Sequence, residues 1–113
     1  MRKQLLDTDQ IMYALGDGNY SNLYFSNGTV ELTSHTLKWY EEGYPTFLRI
    51  SKSAMINPKY IKDCVSVSPG IAYITMDTGV QIAISRRRIQ RVAFKLRRMG
   101  ESVSKEVGKP GRN

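Results

Sequence analysis

The sequence holds little from which a redox or metal centre could be built, with one cysteine, Cys64, and one histidine, His35, in 113 residues. A lone cysteine excludes a disulfide framework and a cysteine-based zinc site within one chain. In a strand-like setting Cys64 reads as a small buried hydrophobe. Long apolar runs are missing too, and nothing approaches the roughly 18 residues needed to span a bilayer. The opening MRKQLLDTDQ offers only two leucines after its basic start, too few for a signal peptide. These absences set the expectation of one cytoplasmic domain with no membrane insertion.

Acidic charge is scarce in one region only. Residues 1–37 hold two basic and four acidic side chains, whereas residues 38–113 hold fifteen basic and six acidic ones. The chain's net charge of +7 is therefore concentrated in its second half. Such asymmetry points to a polyanionic partner, either nucleic acid or an anionic membrane surface.

Catalytic constellations are not found. His35 stands among Ser and Thr at a helix start, where it reads as a capping or surface residue. Ser85 has no histidine to activate it. Glu41 and Glu42 are neighbours on a helix and do not face one another. Asp17-Gly18-Asn19 lacks the spaced carboxylates and closing Glu of a calcium loop, and its glycines form no phosphate-binding fingerprint. No catalytic residue, metal or cofactor is expected.

The patterning is mainly β. Strand-like runs cover Gln10 to Leu15, Tyr20 to Phe25 and Thr29 to Leu32, with turn signals at Gly16-Asp17-Gly18-Asn19 and Asn27-Gly28. Residues 34–43 read as a short helix, with Ser34 or Thr36 to cap it and Gly43 to end it. A second β group follows: Phe47 to Ile50, Ile61 to Val67, Ile71 to Met76 and Val80 to Ile84, with turns at Asn57-Pro58, Pro69-Gly70 and Asp77-Thr78-Gly79. Ser85 is then expected to cap a helix reaching about Met99. Ile89, Val92, Ala93 and Leu96 recur at i, i+3, i+4 and i+7, a face that can pack on a sheet. From Gly100 onward no apolar period remains, so residues 100–113 are expected to be a flexible tail. Residues 1–9 read as an N-terminal extension and 10–99 as the domain.

The basic cluster is the main chemical signal. Between Ser85 and Arg98 lie Arg86, Arg87, Arg88, Arg91, Lys95, Arg97 and Arg98, with no acid among them. Arg87, Arg91, Lys95 and Arg98 share a helical face opposite the apolar one. Arg86 to Arg88 would fill a first helical turn, where the macrodipole favours anions and opposes cations. A bound phosphate would resolve that conflict. A second basic stretch is Arg49-Ile50-Ser51-Lys52-Ser53. Alternation turns Phe47, Arg49 and Ser51 to one side and Leu48, Ile50 and Lys52 to the other, so Lys52, where strand gives way to loop, could enter a groove.

Taken in order, these stretches resemble the LytTR family of bacterial DNA-binding output domains, over about residues 10–98. "IMYALGDGNY" at Ile11–Tyr20 looks like the family's opening strand and Gly-Asn-Tyr loop, and Leu37 stands where its short helix carries leucine. "FLRISKSAMIN" at Phe47–Asn57 is similar to its Phe-x-Arg-x-His-Arg-Ser-x-x-x-Asn block, followed by Tyr60-Ile61. Thr78-Gly79, Ile82 to Ile84 and Ser85-Arg86-Arg87 resemble its last turn, strand and junction.

The resemblance implies an elongated, mainly antiparallel β fold with one short internal helix and a C-terminal helix. It would sit across double-stranded DNA and place loop residues in successive major grooves. Asn19, Tyr20, Lys52 and Arg86 are the implied base contacts. Ser51, Ser53, Arg87, Arg88 and Arg91 are the phosphate contacts, while Asn57 and Arg49 serve either DNA or the shape of the middle loop. Ser51-Lys52 replaces the family's His-Arg pair, which keeps the charge but loses the planar fork that reads guanine. The implied partners are paired direct repeats of DNA, with a second copy bound beside the first. The expected role is a stand-alone transcriptional regulator. The alternative is an interaction protein acting on a partner regulator or membrane sensor.

Overall fold

The computed structural model describes residues 8–100 and 104–105. It is mainly antiparallel β with two helices, the second towards the C-terminal end. β1 (Ile11–Asp17) and β2 (Tyr20–Phe25) form a hairpin closed by Gly18-Asn19, with Gly18 at φ 62°. β1 runs two residues further than its hydrophobic pattern suggests, because Gly16 pairs with Ser21 and Asp17 with Tyr20. Tyr20 is therefore the first residue of a strand.

β3 (Val30–Thr33) returns through Asn27-Gly28, where the Asn27 side chain accepts from the Thr29 N–H at 2.9 Å. α1 (Leu37–Gly43) starts at Thr36, whose hydroxyl accepts from the Trp39 N–H. It is three residues shorter than expected, and Ser34 lies outside it.

β4 (Leu48–Ser51) and β5 (Ala54–Ile56) are joined by the two-residue turn Lys52-Ser53. Sequence patterning gives no strand at β5. β5 is three residues long and buried at each position, so it shows no alternation. β6 (Ile61–Ser68), β7 (Ile71–Met76) and β8 (Gln81–Ile84) form the second β group. α2 (Ile89–Arg98) follows, and β9 (Ser104–Lys105) pairs in parallel with β6. These two residues of the expected tail are thus placed on a sheet. The N-terminal extension up to residue 7 and the remaining tail lie outside the described residues.

The strands make two sheets, of order β3-β2-β1-β5-β4 and β8-β7-β6-β9. The inner strands of the first bury both faces, whereas β3 at its edge is largely exposed. Leu37 and Tyr40 of α1 cover one face together with Ile11, Ala14, Leu23, Phe47 and Met55. The other face joins the second sheet and α2 in the main core, through Leu48, Ile50 and Ile56 on one side and Ile74, Met76, Val92 and Leu96 on the other. A bulge between Ile11 and Tyr13 breaks the alternation of β1. Ile11 therefore faces α1, while Met12 and Tyr13 both enter the main core.

The expected apolar face of α2 is borne out at Val92 and Leu96, both at 0% exposure, with Ile89 packed beside them. Cys64 is also buried, and burial pushes its thiol above the ordinary range. The start of the last helix departs from expectation. Arg86–Arg88 form a separate 3-10 turn, and Ser85 makes no side-chain cap bond. Ser85 instead donates its N–H to the Ile50 carbonyl at 2.9 Å, with its hydroxyl reaching the same oxygen at 3.4 Å. That residue fastens the end of β8 to β4, and so ties the two sheets at their edges.

Candidate nucleic-acid interface

Strand register and hydrogen bonds between strands bring the sequence-predicted residues together. β1 and β5 are antiparallel with Leu15 opposite Ala54, so Gly18-Asn19 and Lys52-Ser53 lie at the same end of the first sheet. The Gly16 N–H donates to the Ser53 carbonyl at 2.9 Å and locks the two turns side by side. A Cβ on Gly16 would sit 3.2 Å from Leu37 Cδ1, so glycine permits this close layering. The Ser85–Ile50 bond then places Arg86 beside the end of β4. In the second sheet Ala72 pairs with Ile84, which brings the Pro69-Gly70 turn to the same end. Four turns thus line one edge of a molecule measuring 56 × 25 × 23 Å.

The side chains on this edge differ in freedom. Tyr20 is 51% exposed at the head of β2, and Asn19 is exposed in the turn before it. Lys52, Ser53, Arg86, Arg87 and Arg91 are exposed, whereas Ser51 and Arg88 are half-buried. The Ser51 hydroxyl accepts the Ser53 N–H at 3.2 Å, inside its own turn. Arg88 Nη1 donates to Ser85 Oγ at 3.3 Å, which holds it back against the junction. Arg91 lies one helical turn beyond the junction on α2. The three arginines of the 3-10 turn precede the first turn of α2. Arg88 is the N-cap of α2, so these cations stay at the positive end of its macrodipole.

Arg49 and Asn57 both make bonds within the fold. Arg49 donates from Nε to the Ser51 carbonyl at 2.8 Å and from Nη2 to the Lys52 carbonyl at 2.6 Å. Its Nη1 pairs with Glu41 at 3.1 Å. One guanidinium thereby shapes the turn that presents Lys52 and ties it to α1. Asn57 is 6% exposed, donating to the Ile11 carbonyl and accepting from the Lys59 N–H. Arg86, Arg87 and Arg91 are exposed, which leaves their charge open to solvent. Sequence reasoning missed Gly16 and the Pro69-Gly70 turn as parts of this edge, because both act through neighbours distant in the chain.

Other features do not compete with this edge. A cavity of about 500 Å³ lies between α2 and the second sheet, lined largely by apolar groups such as Ala72, Ile84, Ala93 and Phe94. Among the described residues no group of three or more His, Cys, Asp or Glu could hold a metal ion. None of their helices is long and apolar enough to cross a membrane.

The LytTr DNA-binding domain family matches residues 2–97. The chain belongs to the LytTR family. It is accordingly a DNA-binding domain of a family that binds double-stranded DNA. Among solved structures, the LytTR fold is matched by the LytTr DNA-binding domain of a putative methyl-accepting/DNA response regulator from Bacillus cereus. That likeness has a TM-score of 0.73 at 16% identity, covering 80% of this chain and 84% of the other. At that identity it speaks for the fold alone. No curated protein matches the chain.

Proposed function

We propose that this LytTR domain is a sequence-specific transcriptional regulator whose turn residues enter successive major grooves of double-stranded DNA. The observation that carries this reading is the alignment of exposed Tyr20, Lys52 and Arg86 at one end of both sheets. Short turns on a rigid sheet edge can reach base edges while adjoining groups hold the backbone. Arg86 has the planar fork suited to guanine O6 and N7, whereas Lys52 offers a point charge with less geometric selectivity. Asn19 and Tyr20 supply polar and aromatic contacts at the first turn. Ser53, Arg87 and Arg91 meet phosphates, with Ser51 and Arg88 adding contacts where their intramolecular bonds leave a donor free. A DNA ligand places the protein in the cytoplasm of a bacterial cell. Paired direct repeats, each holding one copy, are the proposed operator.

Phosphate neutralisation supplies most of the affinity, and the turn residues supply the discrimination. Arg86→Ala is expected to cost about 1–3 kcal/mol on a preferred duplex while leaving binding to random DNA unchanged. Fluorescence anisotropy on both duplexes measures this. Equal weakening on the two would remove base reading from Arg86.

A further inference from the structure

The hairpin turn between β6 and β7 carries a glycine that its own backbone does not explain. Pro69-Gly70 is a two-residue loop, since Ser68 pairs directly with Ile71. Glycine in such loops ordinarily supplies a positive φ that other residues avoid. Among the described glycines, those with positive φ are Gly18, Gly28, Gly79 and Gly100, and Gly70 is not one of them. An L-residue could therefore adopt its backbone without strain. What a side chain would meet is Arg86. A Cβ at Gly70 would lie 3.2 Å from Arg86 Nε, 3.3 Å from Cζ and 3.5 Å from Cδ. All three atoms belong to the head of the side chain, where the guanidinium takes its direction. Carbon contacts are comfortable only from about 3.5 Å outward, so an added methyl group would push the Arg86 head aside by a few tenths of an ångström.

We infer that Gly70 is a positioning residue for Arg86, and that the bare Pro69-Gly70 turn is the rest on which the guanidinium is aimed. Pro69 contributes by fixing its own φ, which keeps the turn from drifting under the arginine. Arg86 is exposed and long, so without such a rest its head would sample several rotamers and lose the alignment that bidentate reading requires. This inference rests on the reading of Arg86 as a base-contacting residue, and it adds an element of the fold that never touches a base. It also explains why the second sheet matters to recognition, since the turn and the arginine come from its two successive hairpins.

The test compares Gly70→Ala with Gly43→Ala, a glycine that has neither positive φ nor any atom within 4 Å of an added Cβ. Two measurements are made on the full chain. The first is the Arg86 Nε–H resonance in nitrogen-15 spectra of the free protein, which should move in Gly70→Ala and stay in Gly43→Ala. The second is the ratio of affinities for a preferred and a random duplex. It should fall about tenfold in Gly70→Ala, within the range expected for loss of one base contact, with random binding unchanged. Gly70→Ala added to Arg86→Ala should have no further effect on that ratio. An unmoved Arg86 resonance and an unchanged ratio, with Arg86→Ala still lowering it, would overturn the positioning role alone. A silent Arg86→Ala would overturn the base-reading role beneath it. If Gly70→Ala unfolds the domain even when Arg86 is alanine, the turn needs glycine for itself and the inference fails.

Discussion

Arg49 directs all three of its nitrogens inward, to two carbonyls of the Lys52 turn and to Glu41. Its bonds to the Ser51 and Lys52 carbonyls shape the turn that presents Lys52. Arg49→Leu is expected to cost about 1–2 kcal/mol in urea denaturation, since hydrogen bonds from a charged donor are lost. Binding to a preferred duplex should weaken as well, because the turn loses its anchor. Asn57→Ala would strand the Ile11 carbonyl and the Lys59 N–H. A loss of about 1–3 kcal/mol in the same denaturation experiment is expected. Both side chains stood out in the sequence block FLRISKSAMIN, but their roles stayed open there. The reason is physical: the partner of Asn57 lies 46 positions away, on β1. Gly70 was legible as part of a turn, whereas its contact with Arg86 exists only once β7 and β8 are paired.

Periodicity recovers an element when one of its faces is wet. α2 shows this, since Val92 and Leu96 are buried while Arg91 and Lys95 are exposed, and the 3.6-residue pattern follows. β4 was legible for the same reason, with Leu48 and Ile50 turned inward between half-buried Arg49 and Ser51. β5 lies between β1 and β4 with both faces covered and is only three residues long, so it left no pattern to read. The junction was misread because Ser85 has the chemistry of a cap. In the fold its N–H and hydroxyl are directed at β4, and a 3-10 turn intervenes before α2. At this scale α2 is proposed to line the DNA backbone while the junction reads bases. Arg91→Ala should therefore weaken binding to all duplexes alike and reduce the slope of log K against log salt by about one. A sequence-dependent loss in that titration would assign Arg91 to base reading instead.

The whole molecule combines a two-sided sheet, a second sheet tied to it at one edge, and a basic half directed outward. Charge counting points to the basic half but passes over Tyr20, which strand register brings to the same edge from the less basic part of the chain. The layers themselves were not legible, because which face of β1 meets which core depends on a bulge. Burial also gives the fold a pH signature. It raises the thiol of Cys64 and the phenols of Tyr13 and Tyr40 above their ordinary ranges. In the unfolded chain these groups ionise first, so the unfolded state releases protons that the folded state retains. Stability should thus be full below the ordinary thiol range and fall as pH rises through the alkaline range. Thermal midpoints between neutral and alkaline pH check the sign.

The central claim is that turns along one edge read DNA sequence. The direct measurement is the affinity of the purified chain for a duplex selected from random sequence, set against a scrambled duplex of equal length over a salt series. The account predicts tighter binding to the selected duplex by a factor of about a thousand or more, with both affinities falling steeply as salt rises. Equal affinity for the two duplexes at every salt concentration would contradict it.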